Sequence, residues 1–80
     1  MTVKKNPQHC VDLRAIGRRI REIRGFEITQ GQFAKRLGIG QQQLSNYEKG
    51  RSAPTLKILV RLQAVSGKSL DWIVNGPSEA

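Results

Sequence analysis

The run Gln41-Gln42-Gln43-Leu44-Ser45-Asn46-Tyr47 sets four carboxamides and a hydroxyl around the two larger apolar side chains Leu44 and Tyr47. A carboxamide carries an acceptor oxygen beside a donor NH2, so it can read a surface that shows a donor and an acceptor side by side. The adenine edge in the major groove, N6 next to N7, is such a surface. If the run is helical with Leu44 and Tyr47 turned inward, Gln42 and Asn46 lie four apart on the outward face and Gln41 sits at the N-terminal tip. Gln41, Gln42 and Asn46 are therefore expected to read bases. Gln43 and Ser45 point more sideways, toward phosphate or neighbouring side chains.

Covalent and metal chemistry have little to work with. Cys10 is the only cysteine, so an intrachain disulfide and a multi-thiolate zinc site are both excluded. His9 directly precedes it, and adjacent residues rarely converge on one metal. A single His and six scattered Asp and Glu leave no nucleophile with its base, so neither catalysis nor a cofactor is expected. Fourteen Lys and Arg against these six acids give a net charge of +8 over 80 residues, a strong attractive field for polyanions. Nucleic acid and an anionic membrane are the two candidate partners, and Lys35, Lys49, Arg51 and Lys57 lie near the glutamine run to meet phosphate. The segment Met1 to Cys10 has no apolar stretch behind its lysines, which predicts neither a signal peptide nor a transmembrane span. A cytoplasmic protein is expected, associated with the nucleoid of a prokaryote or phage host.

Five helices with short connections have to hold that run in place. Leu13, Ile16, Ile20 and Ile23 recur at helical spacing and predict a first helix from about Leu13 to Arg24, closed by Gly25, with Gly17 marking a close helix contact. Thr29 and Gln32 form a capping box, with Ile28 and Phe33 as a hydrophobic staple. They open a second helix that buries Phe33, Ala34 and Leu37 and stops at Gly38. A third runs from Gln41 to about Lys49, entered at Gly40 and ended at Gly50. After Arg51-Ser52-Ala53-Pro54, a fourth from about Thr55 to Val65 is expected to bury Leu56, Leu59, Val60 and Leu62 or Ala64. Ser69 caps a last helix, Leu70 to Asn75, with Asp71 in its first turn. With no period-2 alternation and no repeat, the chain reads as all-α: a flexible arm over 1–11, one domain over 12–76 and a tail over 77–80. The apolar stripe of the first helix is needed to cover Phe33, Leu59 and Trp72, which speaks against a membrane-surface role.

Thr29 to Gly50 thus holds a helix, a tight turn and a second helix in about twenty residues, with small Ala34 at the contact and Gly38 in the turn, as a helix-turn-helix requires. Here the chain resembles the Cro and lambda-repressor-like, or XRE-family, helix-turn-helix regulators over about Ile16 to Gly76. The carriers are Ile20 to Arg24, Thr29-Gln30 through Leu37-Gly38, Gln41-Gln42, Tyr47-Glu48, Gly50, Pro54 and Ser69 to Ile73. The resemblance implies a compact five-helix domain that binds double-stranded DNA with its third helix. It implies that Gln30 touches phosphate and braces Gln41, and that Arg24 and Glu48 form a structural ion pair between the first and third helices. The chain departs from the family pattern in the loop Gly25 to Ile28 and at Gly40, where a Ser or Thr is usual.

One short recognition helix contacts few bases, so a homodimer on a palindromic site is expected, with Ser52, Ala53, Ile73 and Val74 as its interface. A repressor is the expected role. The alternative is an antitoxin that neutralises a partner toxin and binds DNA with it.

Overall fold

The computed structural model describes residues 11–77 as five α-helices: α1 (Leu13–Arg24), α2 (Gln30–Leu37), α3 (Gln41–Glu48), α4 (Leu56–Ser66) and α5 (Leu70–Asn75). No strand occurs among the described residues, and the expected five-helix, lambda-repressor-like architecture is met. The arm expected over 1–11, with Lys4, Lys5, His9 and Cys10, lies outside the described residues except for Val11, as does the tail beyond Pro77.

Four of the helices start where a side-chain oxygen takes an otherwise orphaned amide. Asp12 accepts from Ala15 N at 3.1 Å, Thr29 from Gln32 N at 3.1 Å, Thr55 from Ile58 N at 3.3 Å and Ser69 from Trp72 N at 3.0 Å. Each cap contributes about 1 kcal/mol. At Thr29 the box is reciprocal, because its own amide donates to Gln32 Oε1 at 3.0 Å. Two C-termini are closed by arginines from other helices. Arg61 of α4 donates to Leu37 O at 2.6 Å, and Arg19 of α1 donates to Ile73 O at 2.8 Å and Val74 O at 3.2 Å. A guanidinium there satisfies free carbonyls and sits at the negative end of the helix dipole.

Every helix contributes to one core: Ile16 and Ile20 from α1, Phe33, Ala34 and Leu37 from α2, Leu44 and Tyr47 from α3, Ile58 and Leu62 from α4, and Ile73 from α5. Ile28, Leu13, Ile23 and Leu59 are half-buried against it. Two expectations need correction. In α4 the inward face is Ile58 and Leu62, flanked by Leu59, whereas Leu56 is 69% exposed, Val60 48% exposed and Ala64 exposed. Successive residues turn by about 100°, so 56, 60 and 64 lie on the side opposite 58 and 62. The periodicity permits either face because both are apolar, and the bond from Arg61 to Leu37 goes with the rotation observed. Ile73 is wholly buried, so it cannot form a dimer interface with Val74; it fills the core between α1 and α4.

Gly17 sits at a close contact between α1 and the end of α3, as its position in the sequence predicts. A Cβ there would lie 2.5 Å from the carbonyl oxygen of Tyr47 and 2.8 Å from the carbonyl carbon of Glu48, both backbone atoms that cannot rotate away. Gly17→Ala therefore sets a helix-propensity gain of about 1 kcal/mol against a displaced α3. The clash should win, with a net loss of about 2 kcal/mol and a Tm lower by roughly 8 to 16 °C for a domain of this size. A thermal melt in which Gly17→Ala matches or exceeds the parent would show that α1 and α3 are not in this contact.

Candidate nucleic-acid interface

The turn between α2 and α3 depends on Gly38, whose φ of 75° lies in the left-handed region that a side chain disfavours. It lets Gly38 N reach Lys35 O at 3.1 Å and Ile39 N reach Ala34 O at 3.0 Å, closing α2 within one turn. Gly40, in extended conformation, then starts α3 without a side-chain cap. The absence of a hydroxyl leaves the first amides of α3 to outside acceptors, which suits an anion approaching the positive end of the helix.

With Leu44 and Tyr47 buried, the outer surface of α3 is polar throughout. Gln41, Gln42 and Gln43 are exposed, and Ser45 and Asn46 are half-buried. Gln42 Nε2 donates to Asn46 Oδ1 at 3.3 Å in the open, which puts these two amides on one face as expected. Gln43 turns aside and donates to the Tyr47 hydroxyl at 2.8 Å. Gln41 leans toward the start of α2: its Oε1 is 3.4 Å from where a Cβ on Gly31 would stand. Gln30 does not brace it. Its Nε2 instead donates to Glu48 Oε1 at 2.9 Å, a charged acceptor that makes a stronger hydrogen bond than a neutral amide oxygen would.

Glu48 is the hub that ties the end of α3 to α1 and α2. Arg24 meets it in fork geometry, Nε to Oε2 at 2.8 Å and Nη2 to Oε1 at 3.0 Å, and the Arg24 Nη1 donates to Ile28 O at 3.1 Å. The side chains of Arg24 and Glu48 are only 12% and 5% exposed. The hydrogen bond to Glu48 holds the Arg24 guanidinium above its ordinary pKa. The ion pair implied by the resemblance is present, and Gln30 makes it a three-membered network.

Lys35 on α2 and Lys49 and Arg51 after α3 are exposed, as is Arg14. Arg14 was not singled out by its position in the sequence. Its Cα and Cγ lie 2.9 Å from where a Cβ on Gly50 would stand, which sets its backbone beside the end of α3. The glycine at position 50 was the available signal, since a glycine in a loop can mark a close backbone approach as well as a helix stop, and its φ is 76°.

A helix, a glycine turn and a second helix with an amide-lined outer face define a helix-turn-helix domain. The model of the helix-turn-helix family matches residues 18–73, from α1 into α5. A protein of Picrophilus torridus whose name is that of an HTH-type transcriptional regulatory protein is 40% identical over 53 residues, which are 66% of this chain and 16% of that protein. The chain thus spans about a sixth of that relative's length. No solved structure gives a significant match. The chain belongs to the XRE-type helix-turn-helix family of DNA-binding transcription regulators, which is not an enzyme class.

Glu48→Ala should be among the most damaging substitutions near the surface, because it strands the mostly buried Arg24 guanidinium and frees Gln30. A loss of about 3 kcal/mol is expected, read by denaturant titration. Adding Arg24→Met should restore part of it, since the double variant buries no unpaired charge. If the double variant were as unstable as the sum of the singles, the two residues would not act as a pair.

Proposed function

We propose that the chain is a sequence-specific reader of double-stranded DNA that acts as a repressor, as a homodimer on a palindromic operator. The observation that carries the reading is the outer face of α3, where Gln41, Gln42 and Asn46 stand free of the core on a helix braced by Arg24, Glu48 and Gln30. Amides so placed can each bond an adenine at N6 and N7, so each half-site contains A·T pairs opposite them. The phosphates on either side are met by Lys35, Lys49 and Arg51, by Ser45, and by the start of α2 at Gln30. Gln43, tied to Tyr47, lines the groove edge rather than reading a base.

Repression is the mode that needs no surface beyond this one, since a domain seated in the groove blocks access to the site. A second copy one helical turn away, about 34 Å, doubles the sequence read. The loop at Ser52 and Ala53 and the half-buried Val74 stay available to it, unlike Ile73. Such a regulator works in the cytoplasm on the nucleoid. No helix among the described residues is long and apolar enough to cross a membrane. The antitoxin alternative draws no support from the family match or from the relative's name.

Gln42→Ala and Arg51→Ala separate reading from holding. On a site selected from random DNA, Gln42→Ala should cost about 1 to 3 kcal/mol, with little effect on scrambled DNA. Arg51→Ala should weaken both about equally. If Gln42→Ala weakened both DNAs alike, or neither, α3 would not be reading bases through this face.

Electrostatic holding has its own readout. With a net charge of +8 and about 6 to 10 phosphates covered by a dimer, affinity should fall by roughly three to five orders of magnitude between about 50 and 200 mM salt. A response flat in salt rules out backbone binding by these cations.

A further inference from the structure

Of the four aromatic residues, Phe33, Tyr47 and Trp72 lie in the core or against it. The fourth, Phe26, is fully exposed. The chain leaves α1 at Gly25, whose φ is 77°, and the next residue stands in solvent rather than folding back on the helix. Beside it is a cleft of about 430 Å³ lined by Arg18, Arg21, Glu22, Gly25 and Phe26. Residues 18, 21, 22 and 25 recur at helical spacing, so they form one outward face of α1, opposite the buried Ile16 and Ile20.

The two arginines of this face are not committed to the fold as Arg19, Arg24 and Arg61 are. Among the described residues the ion pair is that of Arg24 with Glu48, so Arg18 and Arg21 hold no carboxylate. Arg21, in the last turn, suits the negative end of the helix dipole. The dipole accounts neither for Arg18 one turn earlier nor for Phe26.

We propose that this face binds a segment of another protein that carries carboxylates next to an aromatic or aliphatic side chain. The proposal stands independently of base reading by α3.

Charge and apolar surface together select the partner. Each guanidinium can take a carboxylate in fork geometry, and an apolar side chain beside those carboxylates covers the ring of Phe26. Arginine and aromatic rings are the side chains from which interfaces draw much of their binding once water is excluded. A second copy of the chain is a poor fit, because no two of its six acids are closer than five residues and it brings a charge of +8. Duplex DNA also fits poorly. Glu22 in the cleft and exposed Glu27 beside Phe26 repel phosphate, and the sugar-phosphate backbone gives the ring no apolar cover. A membrane surface needs a row of apolar side chains, whereas this face has a single ring. A metabolite would meet walls from one helix and one loop only, leaving most of its surface in water, unlike an ordinary small-molecule site. A chain segment can cover the ring and both arginine stems at once.

The test is selection of peptides about twelve residues long from a random displayed library, with the full chain as bait. Enriched peptides should pair Asp or Glu with an aromatic or aliphatic neighbour. Each is then titrated against Phe26→Ser and against Arg18→Gln with Arg21→Gln. All three positions are exposed, so both variants should melt as the wild type does. The dissociation constant for an enriched peptide should rise roughly tenfold or more in each variant, and replacing the peptide's own apolar residue with Ser should cost as much. Phe26→Ser should leave affinity for a site selected from random DNA unchanged. Failure to enrich any such peptide overturns the proposal, as does an enriched peptide that binds Phe26→Ser as tightly as the wild type. So does a Phe26→Ser variant that keeps the peptide but loses binding to duplex DNA, or to vesicles of phosphatidylserine in phosphatidylcholine, which would give the face to nucleic acid or to lipid.

Discussion

The carboxylate of Glu48 receives three hydrogen bonds, two from Arg24 on α1 and one from Gln30 on α2, while Glu48 itself ends α3. A single acceptor thus fixes the mutual placement of α1, α2 and α3. The net stabilisation is modest, because both ionic partners lose most of their water and the pair must first offset that desolvation. Its geometric effect is larger. A fork-shaped guanidinium accepts a carboxylate in few orientations, so α3 cannot roll or slide without losing both bonds together. The Arg24 bond to Ile28 O extends the same constraint into the loop before α2.

That arrangement is open only to a chain with a glycine at position 17. Arg24 and Glu48 meet at 2.8 Å because α1 and α3 approach backbone to backbone two turns earlier, where any Cβ would collide with Tyr47 and Glu48 carbonyls. The helix-interior glycine costs α1 some intrinsic stability, and the packing of Ile16, Ile20, Leu44 and Tyr47 around it offsets that cost. Arg19 and Arg61 play a related part at the far ends, each spending its charge on closing another helix rather than on a ligand. Of the fourteen basic residues, then, three on these helices are structural, and net charge alone overstates how much of the surface can hold phosphate.

Local chemistry made most of the fold legible in the sequence. Caps at Thr29 and Ser69, stops at Gly25 and Gly38, and the close approach at Gly17 are each decided within a few residues by backbone geometry. The exposed amides of α3 were legible for the same reason, since Leu44 and Tyr47 leave them no inward direction. What was not legible depended on neighbours distant in the chain. α4 has apolar residues on both sides, and pattern alone cannot tell a core face from an unpartnered one. Ile73 and Val74 are adjacent and chemically alike, yet one is sealed in the core that α5 shares with α1 and α4 and the other is half-exposed, a difference that follows from the roughly 100° step between neighbours on a helix. Gln30 was assigned to Gln41 by resemblance, but a neutral amide within reach of a carboxylate prefers the charged acceptor.

The same preference separates the amides of α3 into two kinds. Gln43 gives its NH2 to the Tyr47 hydroxyl at 2.8 Å in a partly buried setting, so releasing it costs a hydrogen bond that water only partly replaces. Gln42 and Asn46 share one exposed bond at 3.3 Å, long enough and wet enough that exchanging it for a base edge loses little. In the unbound chain that bond still restricts both side chains to one face, lowering the rotamer entropy lost when they meet a partner. Base reading as proposed for this face needs both properties: amides weakly enough paired to exchange, and a helix held firmly enough beneath them that only the amides move. Glu48 supplies the second, and its position at the last residue of α3 leaves the whole outward surface, from Gln41 to Asn46, clear of the network that secures it.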